Sequence, residues 1–286
     1  MIPVPAVTTA CGEGFGLAAC PLLRLLVTVA HNDLAVFALP VSLATSALSL
    51  VRTIKFHALC GQMAFTGATA IARFLVVIDG VHEAVHVVDV VHGKHVGYVA
   101  APGCIRLPMG VAAHGTKVAV SMWQRGGGGA VCMYEGEGTT WTSTRMVHCC
   151  LSYGLRFTAD GTGLVVAGLM EAGGCSVSLL CAKDGSFVRH LATGLCNVIS
   201  VEECEAGRWA LASWDSDTVV FVGGTSVAGN FKKPSALAYA PGLGLLVRDN
   251  DGVQLFATVD AIAMAAMSVM KTTWMATVLR GAIGRL

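Results

Sequence analysis

The chain has few charged residues and no basic segment. Asp, Glu, Lys and Arg make up 13% of its 286 residues, and the net charge is +1. The longest basic run is the pair Lys232 and Lys233, and no aromatic residues interleave with it. Because electrostatic binding to nucleic acids requires a basic stripe, we expect no nucleic-acid partner. The hydrophobic fraction of 54% also excludes a disordered chain.

No C-x-x-C motif occurs, although the chain contains 11 cysteines. The chain therefore lacks the cysteine–histidine spacing of the RING and B-box modules that accompany ubiquitin-ligase activity. An odd number of cysteines, scattered along the chain, is typical of reduced thiols that pack as small hydrophobic residues. We therefore expect an intracellular protein, located in the cytoplasm.

The pattern of a secretory leader is missing, and the longest uncharged run is a poor membrane span. The first positive charge, Arg24, falls inside an apolar run rather than before it. Residues 34–51 carry no charge over 18 positions, which is the lower limit for a membrane helix. Pro40 and four Ser or Thr residues interrupt this run. We expect no signal peptide and no membrane partner.

One short pattern recurs six times along the chain and is its most informative feature. It consists of an apolar run, a polar or Gly-rich turn, and a second run that alternates and ends on a large apolar residue. These end points follow one another at steps of 51, 46, 46, 41 and 35 residues: Phe37, Val88, Tyr134, Leu180, Phe221 and Phe256. A hairpin that repeats every 40–50 residues predicts the blades of a β-propeller.

Further strands are predicted on both sides of each hairpin, which makes four antiparallel strands in each of six blades. Segments of small residues precede the hairpins at 16–19, 110–113, 154–157 and 235–239. Small side chains suit innermost strands, where six strands crowd around a central channel. Outer strands are predicted at 50–54, 96–99, 140–147 and 187–192.

The two ends of the chain differ from the repeats. Residues 1–10 have the composition of a strand, and we expect them to pair with blade six and close the ring. The propeller then occupies residues 11–258. Residues 259–286 are rich in Ala and Met, with Asp260 as a helix N-cap, and predict a short C-terminal helix.

The repeats resemble the NHL repeat, the blade unit of a family of six-bladed propellers. Blade six is the nearest copy, with Pro234, the apolar strand that ends at Asp249, and the run 252–256. Blade two shows Asp79 and His82 in the corresponding places. The resemblance covers residues 16–258, although blades three to five keep little of the motif.

This resemblance implies a non-enzymatic scaffold that presents its loops to a protein partner. The alternative that it also implies is a propeller hydrolase or lyase with a divalent metal in the central channel. The innermost segments 16–19, 110–113, 154–157 and 235–239 offer no carboxylate at matching positions. The acidic cluster Glu202, Glu203 and Glu205 belongs to a single blade, which cannot surround a channel ion. We therefore favour the scaffold, and expect no cofactor and no metal.

His82, Glu83 and His86 spell the H-E-x-x-H motif of zinc proteases, but in the wrong context. That motif requires a helix, which places the two imidazoles on one zinc ion. Here the neighbouring residues are β-branched and follow an Asp-Gly turn, so a hairpin is predicted and residues four apart lie about 13 Å apart. A metal cluster of His86 with His92 and His95 across this hairpin is the alternative, but a histidine in a turn is ordinarily solvated or capping, so we expect none.

The remaining candidates lie on the loops that join the second and third strands of the blades. These loops emerge on one face of the propeller and carry Trp and Arg, the residue types that dominate interface energetics. A Trp at such a place can instead cover a blade edge, and an Asp can cap its own turn. We select as binding residues Trp123, Arg125, Trp214, Asp215, Arg248 and Asp249.

Overall fold

The computed structural model describes residues 16–256, apart from 21–22, 31–32, 40–47, 56–59, 67–72, 125–127, 150–151, 170–174, 196, 206, 223–225 and 228–230. The regular structure of the described residues is entirely β. The closing strand predicted at residues 1–10 and the helix predicted at 259–286 lie outside this part of the chain. None of the described segments forms a helix long and apolar enough to cross a membrane.

The described strands form six antiparallel sheets, which we number as blades in chain order. Blade one comprises β1 (Leu17–Cys20), β2 (Leu25–Ala30), β3 (Asp33–Ala38) and β4 (Ser49–Lys55); blade two comprises β5 (Cys60–Thr66), β6 (Phe74–Asp79), β7 (Ala84–Asp89) and β8 (Lys94–Ala100). Blade three comprises β9 (Pro108–His114), β10 (Lys117–Trp123), β11 (Gly129–Glu137) and β12 (Thr140–Cys149); blade four comprises β13 (Ser152–Phe157), β14 (Gly163–Leu169), β15 (Cys175–Cys181) and β16 (Phe187–Leu195). Blade five comprises β17 (Val198–Glu205), β18 (Arg208–Ser213), β19 (Thr218–Phe221) and β20 (Ser226–Val227); blade six comprises β21 (Ala236–Ala240), β22 (Gly244–Asp249) and β23 (Gly252–Phe256).

Every sheet is a meander in which each strand pairs with the next one along the chain. The first strands of consecutive blades contact one another in the order β1, β5, β9, β13, β17, β21, and β21 contacts β1 again. A set of sheets whose first strands close into a ring around one axis is a β-propeller. The six-bladed propeller predicted from the repeats is therefore confirmed.

The hydrophobic core is divided into six clusters, one at each contact between neighbouring blades. A blade has two faces to bury and cannot do this alone, so each face packs against the next blade. The contact between the last blade and the first contains Leu17 and Leu26 from blade one, with Ala238 and Leu246 from blade six. Apolar packing thus closes the ring at the seam where the described chain begins and ends.

The innermost strands approach one another closely, as their small residues predict. A Cβ added to Gly110 of β9 would overlap the carbonyl oxygen of Tyr153 in β13. One added to Gly154 would lie 3.0 Å from Cγ2 of Val201 in β17. The backbone around the axis therefore tolerates only the smallest side chains at these two positions.

Candidate functional site: the loop face

The meander places two kinds of connection at the same end of the blades. These are the hairpins between second and third strands and the links from each blade to the next. The surface that they form is called the loop face, and its described parts include residues 80–83, 101–107, 214–217, 231–235 and 250–251. Loops on a rigid frame are common sites of binding.

Trp123, the last residue of β10, lies on the loop face and exposes 45% of its surface. Its backbone N–H donates to the carbonyl oxygen of Leu107, 3.2 Å away, which fixes the strand end against the link between blades two and three. Arg125, predicted beside it, lies outside the described residues. The structure therefore presents the indole ring of Trp123 on a backbone held at a fixed position.

Trp214 is only half-exposed because the next blade covers it. Nζ of Lys233, on the link to blade six, lies 5.4 Å from the centre of the Trp214 ring, within the range of a cation–π contact. The backbone N–H of Lys233 donates to Oδ1 of Asp217 at 2.7 Å, which fastens the two loops together. Asp215 stands exposed in the same turn. Trp214 therefore packs one blade against the next, whereas Asp215 faces solvent.

Arg248 and Asp249 are interior groups, which corrects their predicted place at exposed loop tips. Arg248 is 2% exposed, and its Nη1 donates across the seam to the carbonyl oxygen of Gly16 at 3.2 Å and to Oγ1 of Thr28. Burial raises the pKa of Asp249, although hydrogen bonds oppose this change. These bonds come from the backbone N–H groups of residues 232, 251 and 252. Arg248 and Asp249 brace the seam and the adjoining turn.

An exposed apolar patch joins blades two and three on the loop face. Its members are Val81, Leu107 and Trp123, with exposed fractions of 57%, 39% and 45%. Oε1 of Glu83, two residues after Val81 in the same turn, accepts the backbone N–H of Leu107 at 3.3 Å. Val81, Leu107 and Trp123 are called the blade 2–3 patch. Val81 and Leu107 escaped the sequence analysis, which considered aromatic and charged loop residues only.

Leu107 also adopts an unusual backbone conformation. Its φ angle is +37°, in the left-handed region, and the residue that follows is Pro108. A branched side chain rarely adopts this conformation, and a residue before proline is further restricted to extended geometry. Backbone strain of this kind concentrates at functional sites. Here it accompanies a leucine whose side chain is displayed to solvent beside Trp123.

The H-E-x-x-H residues form a hydrogen-bonded group around Asp79 rather than a helical zinc motif. His82 lies in the turn and His86 in β7, as the hairpin prediction requires. Oδ2 of Asp79 lies 2.7 Å from Nδ1 of His82 and 3.3 Å from Nε2 of His86. Burial raises the pKa of Asp79, but hydrogen bonds from His82 and Val81 outweigh it and hold the pKa below its ordinary value. The described residues contain no group of three or more His, Cys, Asp or Glu that could hold a metal ion.

An ion pair lies on the innermost strands, where the sequence analysis expected no carboxylate. The six innermost strands can be aligned by their register with the second strand of each blade. At one aligned position the residue is Ala in blades one, two, three and six. In blades four and five the same position is Arg156 and Glu202. Nη2 of Arg156 lies 2.7 Å from Oε1 of Glu202. That oxygen has no well-directed hydrogen bond, so the contact is mainly electrostatic.

Glu202 is almost completely buried, and its ionisation therefore costs free energy. Burial raises its pKa to about 7, and Arg156 offsets only part of this effect. In the unfolded chain the same group has an ordinary pKa of 4.5. The folded state holds its proton to higher pH than the unfolded state, so stability falls as pH rises from 4.5 to about 7 and then levels off.

Replacing Glu202 with Gln is expected to flatten this pH dependence. Ionisation of Glu202 lowers the free energy of unfolding by on the order of 3 kcal/mol across that pH interval, by the usual conversion of a pKa difference into free energy. The measurement is urea unfolding of wild type and Glu202→Gln at several values between pH 4.5 and 8. Glu135→Gln, an exposed change on β11, is the matched control and keeps the wild-type slope. An unchanged slope in Glu202→Gln contradicts the prediction.

Comparison with protein families finds no match for this chain, and comparison with curated proteins finds none either. Among solved structures, hydrazine synthase of Kuenenia stuttgartiensis is similar, with a TM-score of 0.61 over 91% of this chain and 99% of that chain. A chain of the nidogen/laminin complex is similar, with a TM-score of 0.54 over 72% of this chain and 74% of that chain. Identity is 12% in both cases, so the likeness shows a shared fold alone.

Proposed function

We propose that this chain is a non-enzymatic, NHL-like propeller that binds a protein partner through its loop face. The observation that carries the proposal is the blade 2–3 patch, where Trp123 and two aliphatic residues stand exposed together. Exposed apolar groups that cluster on a rigid frame mark interaction sites, and Trp is the most frequent anchor residue.

Two further features support this proposal. One of the similar structures, the nidogen/laminin complex, is an assembly of proteins, and its chain shares the fold. Glu83 accepts the backbone N–H of Leu107, so the backbone of this patch residue is fixed before any partner binds. A preorganised surface loses less conformational entropy on binding.

We also propose that the protein acts inside the cell, in the cytoplasm. Cys132, Cys175 and Cys204 are buried in three different interblade clusters. Each contributes there as a small hydrophobic residue. Expression of the chain with a fluorescent tag at its C-terminus, followed by microscopy, tests this location; secretion into the medium contradicts it.

Replacing Trp123 with Ala is expected to abolish partner binding while leaving the fold intact. Loss of an interface anchor costs about 2 kcal/mol or more, which weakens binding roughly 30-fold. The full chain is immobilised, and proteins retained from a cell extract are quantified by mass spectrometry for wild type and variant. Partners that bind at the patch are depleted in Trp123→Ala.

Phe187→Ala is the matched control, because Phe187 is an exposed aromatic residue on the outer strand β16, away from the loop face. It is expected to retain every partner. Trp123→Ala is expected to melt within a few degrees of wild type, since nearly half of its side chain contacts solvent. Intact binding together with a collapsed melting temperature shows that Trp123 is a packing residue and overturns the proposal.

A further inference from the structure

Two imidazoles meet on neighbouring strands of blade two. His86 lies on β7, and His95 lies on β8, the outer strand beside it. Their rings are 5.1 Å apart between centres and inclined by 69°, so they meet edge to face rather than stacked. Tyr98 packs against both rings, at 4.9 Å from His86 and 4.8 Å from His95, and forms one wall of the pair.

Irregular strand pairing brings the two rings together. The register between β7 and β8 shifts twice, between Val85 and His86 and again between Val87 and Val88. As a result His86 pairs with Tyr98, and Val88 pairs with His95. Bulges of this kind redirect side chains and are common beside functional sites. His95 on β8 therefore lies diagonally opposite His86 on β7, which is two residues from Val88, the direct partner of His95.

The hydrogen bonds decide which nitrogen of His86 can act as a ligand. Asp79 is fully buried, and its Oδ1 accepts the backbone N–H groups of Val81 and His82, so the carboxylate acts as a hydrogen-bond acceptor. Nε2 of His86, 3.3 Å from Oδ2 of Asp79, must then carry the proton. In the neutral ring of His86 only one nitrogen carries a proton. Its Nδ1 consequently holds a lone pair, and this atom lies 3.1 Å from Nε2 of His95.

We propose that Nδ1 of His86 and Nε2 of His95 form a binding site for a divalent transition metal such as Zn²⁺. At an ordinary zinc–nitrogen distance of about 2 Å, nitrogens 3.1 Å apart subtend an angle of about 100° at the ion, close to tetrahedral. Water completes the coordination on the side where His95 is exposed. The proton on Nε2 of His95 moves to its Nδ1 through solvent when the metal binds.

Asp79 supplies the outer partner that such sites require. A histidine that binds a metal almost always donates its other N–H to a carboxylate, which orients the ring and raises its basicity. Asp79 meets this condition for His86 and is itself held by the backbone N–H groups of Val81 and His82. The carboxylate is therefore fixed before the ion binds.

The turn between β7 and β8 contains a second aspartate–histidine pair, Asp89 and His92. Among the described residues, the hydrogen bonds of this pair involve no second imidazole. Oδ2 of Asp89 lies 2.8 Å from Nδ1 of His92, and its Oδ1 accepts the N–H groups of Val91 and His92. This turn repeats the geometry of Asp79 and His82. His92 therefore provides an internal control for any binding that arises from an exposed histidine beside a carboxylate.

The inference departs from the sequence-based expectation of no metal at this hairpin. That expectation covered zinc shared by His82 and His86 at helical spacing and also a cluster of His86 with His92 and His95. The site inferred here uses His95 in place of His82 and has two protein ligands. It is compatible with the finding that no set of three or more metal-binding side chains converges within the described residues.

The test is titration of the metal-free, untagged full chain with Zn²⁺ at neutral pH by isothermal calorimetry. We expect His86→Gln and His95→Gln each to weaken binding at least about tenfold, since each removes one of two ligands. Asp79→Asn is expected to weaken it by about 10- to 100-fold, as loss of an outer partner does. His92→Gln is expected to bind as wild type does.

Nitrogen-15 spectra of the histidine rings provide the second readout. On addition of Zn²⁺ we expect shifts at Nδ1 of His86 and at Nε2 of His95, and none at His92. Because His95 is exposed, His95→Gln keeps the fold, which its melting temperature verifies. Absence of zinc binding, retention of binding in His95→Gln, or equal loss in His92→Gln each overturns the inference.

Discussion

Replacing Gly110 with Ala is expected to lower the melting temperature by about 3–10 °C. The added methyl group would overlap the carbonyl oxygen of Tyr153 and press on Oγ of Ser121, which lies 2.9 Å from the Cβ position. The first contact is with backbone, so relief requires two innermost strands to move apart. Forced insertion into a packed interior costs about 1–3 kcal/mol or more, and each kcal/mol lowers the melting temperature by about 2–4 °C in a large domain.

Gly128→Ala is the control for this experiment, because Gly128 belongs to the same blade and nothing lies within 4 Å of its Cβ position. It is expected to melt as wild type does. Thermal unfolding followed by circular dichroism measures both variants. Equal melting temperatures for Gly110→Ala and wild type contradict the close approach of β9 and β13 described above.

Gly110 also shows why the inner strands were partly predictable from the sequence. The four predicted segments of small residues overlap β1, β9, β13 and β21, although β13 also contains Tyr153, Arg156 and Phe157. The other two, β5 and β17, were not predicted. Residues 198–205 include three glutamates and so lack the small-residue composition from which inner strands were predicted.

Glu202 is tolerated there because Arg156 reaches it from another blade. A compensation of this kind depends on residues that are distant in sequence, and local composition cannot indicate it. The hairpins, in contrast, are local: turn residues and alternation determine them, and the six predicted pairs correspond to the second and third strands of the six blades.

The residues of the candidate site show the same difference between features set by local sequence and features set by distant residues. Trp123 was predicted from its residue type and its place at a strand end, and the structure exposes it. Arg248 was selected because it lies near a turn and because Arg at loop tips dominates interface energetics. Its partners Gly16 and Thr28 lie at the other end of the chain, so only ring closure brings them together. Leu107 became notable only through its backbone conformation and its neighbours.

Deleting residues 1–10 is expected to cause aggregation or a large fall in melting temperature. Blade six has three strands among the described residues, and the predicted fourth would pair with the side of β23 opposite β22. Without it, the edge of β23 presents unpaired backbone groups, which promote association with other chains. Size-exclusion chromatography and thermal unfolding measure the two effects. A truncated protein that stays monomeric with the melting temperature of wild type shows that the ring is closed elsewhere.

The positions of the prolines allow a sharper version of this experiment. Pro3 and Pro5 alternate with Ile2, Val4 and Ala6, so the two missing N–H groups fall on one side of an extended strand. That pattern suits an outermost strand whose other side pairs with β23. Val4→Pro removes a donor on the pairing side and is expected to destabilise the protein as the deletion does. Pro5→Ala changes only the outward side and is expected to be nearly neutral; equal effects of the two changes contradict pairing of residues 1–10 with blade six.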